Sequence, residues 1–182
     1  MRRLAVVSAV LFAACASSQG PSVAPTPDQT VRVMSGTASP TTAMTMVPTD
    51  DPSQRVLSAP AAKVWNALPA VFDSLGLPIT DRNVEARTLG TSSMKLRHRL
   101  GNVALSRYMD CGSAQGSSSA DSYDVLLTFT AQLVPSGDST AVMTRMNALA
   151  RPTFVSGEYV NCGSTRTLEK RFFDILNAEV RR

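Results

Sequence analysis

Alternation with a period of two is strongest between positions 125 and 133. Val125, Leu127, Phe129, Ala131 and Leu133 fall on one side, and Thr128, Thr130 and Gln132 on the other, the pattern of a strand with one buried face. Pro135 to Asp138 supplies turn chemistry, so Thr140 to Ala150 is predicted to return as the partner strand. A helical period appears twice. Val64, Trp65, Leu68, Val71, Phe72 and Leu75 make one broad apolar face, with Gly76 placed to end the helix. Pro60 suits its first turn, Ser58 is the expected cap, and Pro69 should kink or break it. The second helix is expected over 164–180. Leu168, Phe172, Ile175 and Leu176 face inward there, and Glu169 sits in the first turns.

Leu77 to Arg82 and Arg87 to Leu96 read as two further strands around a turn at 83–86, and a short strand precedes the first helix. Residues 114–120, with Gly116 and several serines, read as a loop. The order β-α-β-β-β-β-α predicts an α+β fold, an antiparallel sheet with two helices packed on one face.

Upstream of residue 55 the pattern changes. Arg2 and Arg3 precede a short apolar run from Leu4 to Ala14, too short to cross a bilayer and suited to the core of a secretory signal. Phe12-Ala13-Ala14-Cys15 resembles the lipobox of bacterial lipoproteins. That resemblance implies a signal peptide over 1–14, lipidation of Cys15, and a membrane contact through the anchor. Ala16 follows the cysteine where an aspartate would imply inner-membrane retention, so the resemblance points to the outer membrane, with the domain facing the periplasm or the cell surface. Residues 16–54 hold six of the eleven prolines and thirteen Ser or Thr, a composition expected to form a tether over 15–54. Within it, Thr30 to Met34 alternates weakly enough to suggest an edge strand. One α+β domain would then occupy 55–182.

Charge narrows the partners. Without Arg2 and Arg3, 16 Lys and Arg stand against 14 Asp and Glu, which argues against nucleic acid. Lys95, Arg97, Arg99 and, after a gap, Arg107 form the densest cationic cluster. Period two would put the first three on one strand face, ready for an anionic partner or simply solvated. The lone histidine, His98, lies among them, with no Gly-x-Ser-x-Gly motif to mark a nucleophile, so no catalytic residue is assigned and no enzyme activity is expected. Asp121 and Asp124 are too few to hold calcium, and no cofactor is implied.

Two segments read almost alike: Tyr108-Met109-Asp110-Cys111-Gly112-Ser113 and Tyr159-Val160-Asn161-Cys162-Gly163-Ser164. Cys111, Cys162 and His98 leave zinc one ligand short, so no metal is expected. A redox pair would usually be close in sequence, although Cys162 does precede a helix. The remaining reading is a structural disulfide between Cys111 and Cys162. Lipidation of Cys15 leaves this even pair, as an oxidising compartment favours. Gly112 and Gly163 would lend backbone freedom, and Tyr108 and Tyr159 would pack beside the bridge.

The stretch from Ser58 to Ser92, with Trp65, Gly76, Ile79, Asp81 and Gly90 at comparable places, resembles the repeat domains of BamC-type outer-membrane assembly lipoproteins. It also resembles the start of START-like helix-grip domains. The first implies an interaction module in an envelope or outer-membrane protein complex. The second implies a carrier or sensor of a small apolar ligand.

Overall fold

Two thirteen-residue strands form the centre of the sheet, β11 (Asp124–Ser136) and β12 (Ser139–Arg151), paired in full register from Asp124↔Arg151 to Ser136↔Ser139. The computed structural model that shows this describes residues 29–31, 44–46, 52–114, 116–153 and 158–182. In chain order the other elements begin with β1 (Gln29–Val31) and β2 (Met44–Met46), then β3 (Ser53–Leu57), α1 (Ala61–Leu75), β4 (Asp81–Asn83) and β5 (Thr88–Arg97). Short strands β6 (Arg99–Leu100), β7 (Val103–Ala104), β8 (Met109–Asp110), β9 (Ser113–Ala114) and β10 (Ser117–Ser118) lead to the centre, and β13 (Val160–Ser164) and α2 (Thr167–Arg181) follow it. The main sheet runs β7-β6-β5-β11-β12-β13-β8, with β3 also on β12 and β4 also on β5. All its pairings are antiparallel, so the α+β expectation holds.

The predicted alternation decides which face is buried. Val125, Leu127, Phe129, Ala131 and Leu133 join Val142, Met146, Ala148 and Ala150 beneath the helices, all nearly inaccessible to solvent. Phe72 of α1 and Phe172 of α2 meet Phe129 of the sheet, with ring centroids 5.4 to 6.0 Å apart. Edge and tilted contacts of this kind add to the area that each ring buries. Thr140 and Thr144 sit on the buried face too, and their hydroxyls donate to the carbonyls of Ala59 and Ser53, which fastens β3 and the entry of α1 to β12.

Opposite Thr128, β5 carries two residues, Ser92 and Ser93, so the ladder slips between Leu127↔Met94 and Phe129↔Thr91. Ser93 takes φ +49° and its N–H donates to the Thr128 hydroxyl at 3.1 Å, the local form of a β-bulge. Gly90 permits close strand approach nearby: a Cβ there would stand 3.0 Å from Thr130 Cγ2 and 3.1 Å from the Phe129 carbonyl.

Several expectations are corrected. Helix α1 runs unbroken through Pro69, which lies on the exposed side, where water can hydrate the carbonyl that lost its donor. Leu68, Val71 and Phe72 are fully buried around it and pin both halves to the sheet. Ser58 does not cap α1. Pro60 holds the N-cap position with no side-chain hydrogen bond, because the Ser58–Ala59 bend is used to bond Ala59 N–H to the Leu57 carbonyl. Gly76 behaves as expected: at φ +71° it donates to the Asp73 carbonyl, and Leu77 donates to that of Phe72, a Schellman closure.

Leu77 to Thr80 is not strand, and only Asp81–Asn83 pairs with β5. Helix α2 starts at Thr167 rather than at Ser164, because Val160–Ser164 is claimed by β12 and β8 as strand β13. Within the 114–120 segment Ser117–Ser118 forms β10 and pairs with β9, of which Ala114 is the last residue, so it is not loop alone. Gln29–Val31 pairs with Met44–Met46 in a separate two-stranded ladder, not as an edge of the main sheet. Ser53 and Gln54, expected in the tether, instead begin β3 and pair with Thr144 and Met143 of β12. The rest of the expected signal and tether, Cys15 included, lies outside the described residues.

Candidate functional site

The two look-alike segments become neighbours. β8, from the first, pairs antiparallel with β13, from the second, through Asp110↔Gly163 and Met109↔Ser164. Cys111 and Cys162, 51 residues apart in sequence, therefore meet with Cα atoms 4.3 Å apart and sulfurs 2.11 Å apart, at disulfide-bonding distance. Cys111 is buried and Cys162 half-buried. Gly112 uses its freedom, with φ +79° and its N–H held by the Asp110 carboxylate at 2.8 Å. Gly163 does not, since its φ stays in the ordinary region and it serves as a ladder residue. The two tyrosines also differ. Tyr108 is buried and its hydroxyl accepts from Arg171 of α2. Tyr159 is exposed, with the Arg151 guanidinium 4.9 Å above its ring. The segments are alike as adjoining strands that bring the two cysteines together.

The sheet face away from the helices presents the even positions of β11 and the odd positions of β12, all of them exposed or half-buried. Lys95 and Arg97 of β5 lie on it, opposite Leu126 and Asp124. Arg145 and Arg151 of β12 join them, opposite Thr130 and Asp124. Arg97 Nε donates to Asp124 Oδ1 at 2.9 Å. Among the described residues no carboxylate pairs with Lys95, Arg145 or Arg151. Lys95, Arg97, Asp124, Leu126, Arg151 and Tyr159 border a shallow hollow of about 250 Å³. This hollow can hold an anion by two cations without a carboxylate partner, Lys95 and Arg151, beside the Arg97–Asp124 ion pair, with apolar Leu126 below.

The predicted straight row of three cations is corrected. At His98 the chain turns with φ +66°, so Arg99 stands opposite Arg97 on β6 instead of continuing along β5. Arg107 lies in the following 3-10 turn, Leu105–Arg107, where its carbonyl accepts from Thr165. His98 itself is exposed at this turn. Its Nδ1 contacts the Asp121 carbonyl and its own carbonyl accepts from Leu105 N–H, a turn-holding role. Among the described residues its ring bonds to no serine hydroxyl or carboxylate.

Arg145 and Arg151 escape sequence reading, because the first is a single cation inside an alternating strand and the second lies just past its predicted end. Their shared odd register in β12 is the signal that would have found them, once β12 is paired with β11 and β5. Glu169 is a further unexpected feature. It is buried in the first turn of α2, where a carboxylate suits the helix dipole, and Ser164 Oγ donates to its Oε1 at 2.7 Å. Arg166 Nη1 lies 3.8 Å from the same oxygen, and Oε2 has no hydrogen-bond partner among the described residues. Ser164 in turn accepts from Arg166 N–H, so Glu169 fixes the β13-to-α2 corner.

Among the described residues no group of three His, Cys, Asp or Glu is placed to hold a metal, and no helix is long and apolar enough to cross a membrane. No family model matches the chain, and neither does any curated protein. Of solved structures, a conserved protein from Geobacillus kaustophilus is similar at 11% identity, covering 70% of this chain and 92% of its own, with a TM-score of 0.37. A likeness that distant carries no functional argument.

Proposed function

We propose that this chain is a lipid-anchored cell-envelope protein whose α+β domain is a non-catalytic interaction module, serving outer-membrane assembly or envelope maintenance. The observation that carries the reading is the open sheet face: Lys95, Arg97 and Arg151 gather around Asp124 on it, and Arg145 lies on the same face further along β12, opposite Thr130. The other face of the sheet, where a START-like carrier would hold an apolar ligand, is filled by the contacting rings of Phe72, Phe129 and Phe172. That filling favours binding at the surface over carriage in the interior.

The lipobox-like Phe12-Ala13-Ala14-Cys15 supports the address, with Cys15 as the lipidated residue. An outer-membrane anchor leaves Cys111 and Cys162 as a pair in an oxidising compartment, where the bridge would persist. Two measurements test the proposal. Palmitate labelling of the expressed chain should disappear with Cys15→Ala. Affinity of the domain for anionic envelope components should fall with Lys95→Glu/Arg145→Glu at unchanged fold. Unlabelled wild-type protein defeats the anchor, and unaltered affinity defeats the face.

A further inference from the structure

A different surface, on the edge of the sheet, carries its own signature. Strand β3 pairs along one edge with β12, Ser53 to Leu57 opposite Thr144 to Thr140, and no described strand pairs with its other edge. Alternate backbone N–H and C=O groups along that second edge therefore lack a ladder partner, the template on which an extended chain adds. Two hollows flank β3 where α2 lies alongside it. One, of about 410 Å³, lies between Ser53–Arg55 and the start of α2; the other, of about 440 Å³, between Val56–Pro60 and the end of α2. Between them Arg55 stacks 5.1 Å from the Phe173 ring centroid.

The charge along this groove is unbalanced. Arg166 at the first hollow lies beside buried Glu169, and Arg55 and Lys170 share the single carboxylate of Asp174, while Lys63 and Arg181 border the second hollow. Val56, 64% exposed, points to the opposite, open side of the sheet, because it pairs with Ala141 while Arg55 pairs with Val142 on the helix side.

We infer that β3 and α2 form a receptor groove for an extended acidic peptide, which adds to β3 as one more strand. Alternation fixes the peptide's pattern: acidic residues toward Arg55 and Lys170, apolar residues beside Val56. Five residues of β3 offer roughly 17 Å of edge, enough to pair five residues of a hexapeptide. The proposal uses a surface apart from the cationic sheet face, so either can fail alone.

The test uses the lipid-free full chain, Cys15→Ser, and a fluorescent hexapeptide of alternating Glu and Val. Saturable binding is expected, with slowed amide exchange over residues 53–57. A Lys/Val peptide, and a Glu/Val peptide interrupted by proline, should each bind at least about tenfold more weakly. Lys63→Glu/Lys170→Glu, both at exposed positions, should weaken binding by a similar factor, while Lys95→Glu/Arg145→Glu leaves it unchanged. Three results overturn the inference. They are no binding up to about 1 mM peptide, binding without protection at 53–57 in the unsubstituted domain, and equal binding of the proline-interrupted peptide.

Discussion

Replacing both partners of the clasp, Cys111→Ala/Cys162→Ala, is the sharpest perturbation of this fold. The bond spans 51 residues, from β8 to β13, and the loop it closes includes both central strands. In the chain-entropy description a loop of that length restricts the unfolded chain by about 4 kcal/mol at 25 °C, an upper-range figure because residual unfolded-state structure reduces it. Total stability for a domain of this kind is about 5–15 kcal/mol, so the loss would be a large share. Alanine avoids leaving a hydroxyl at buried position 111. In thermal unfolding followed by circular dichroism, the double variant should melt roughly 10–20 °C lower. Reductant should shift the wild type similarly and leave the variant where it is. Two alkylatable thiols in unreduced wild-type protein, or equal melting temperatures, would refute the reasoning.

Three further outcomes follow from packing and charge. Phe129→Ala removes the ring shared by Phe72 and Phe172 and should cost about 3–5 kcal/mol, read as a shift in urea midpoint. Pro69→Ala restores a helix donor inside α1 and should stabilise by about 1–3 kcal/mol; an unchanged or lower midpoint would mean that α1 is shaped around the proline. The Asp81 carboxyl is held below its ordinary value first by the Ser92 hydroxyl and then by that of Thr80. A depressed folded value means that its contribution is present above the unfolded pKa and lost as acid titrates it below that value. Carboxyl NMR titration should show Asp81 titrating lower than a free aspartate, and closer to one in Ser92→Ala.

Where apolar periodicity ran for several residues, the sequence was legible. The alternation of 125–133 and 140–150 and the helical faces of α1 and α2 follow from which side chains must leave water, and they appear on the predicted sides. Places set by long-range pairing were not legible. Val160–Ser164 looks like a helix entry locally, yet β12 and β8 make it a strand. The cation row of 95–99 looked straight because nothing in the letters marks His98 for a positive φ. The clasp was inferable from cysteine count and the expected lipidation of Cys15, but the pairing of its two flanks was not. Tyr-x-Asp/Asn-Cys-Gly-Ser recurs on adjoining strands, yet the equivalent glycines and tyrosines do different things, so register and not the motif assigns their roles.

In the function we propose, the sheet face bearing Lys95, Arg97, Arg145 and Arg151 is the one that meets the cell envelope. A photo-crosslinking residue placed at 145, on that face, and another at the exposed Asn66 of α1 compare the two sides directly in native envelopes. The account predicts a discrete crosslinked partner from 145, lost when Lys95 and Arg151 are changed to Glu, and none from 66. Crosslinks from 66 alone, or a 145 adduct indifferent to those charge reversals, would contradict it.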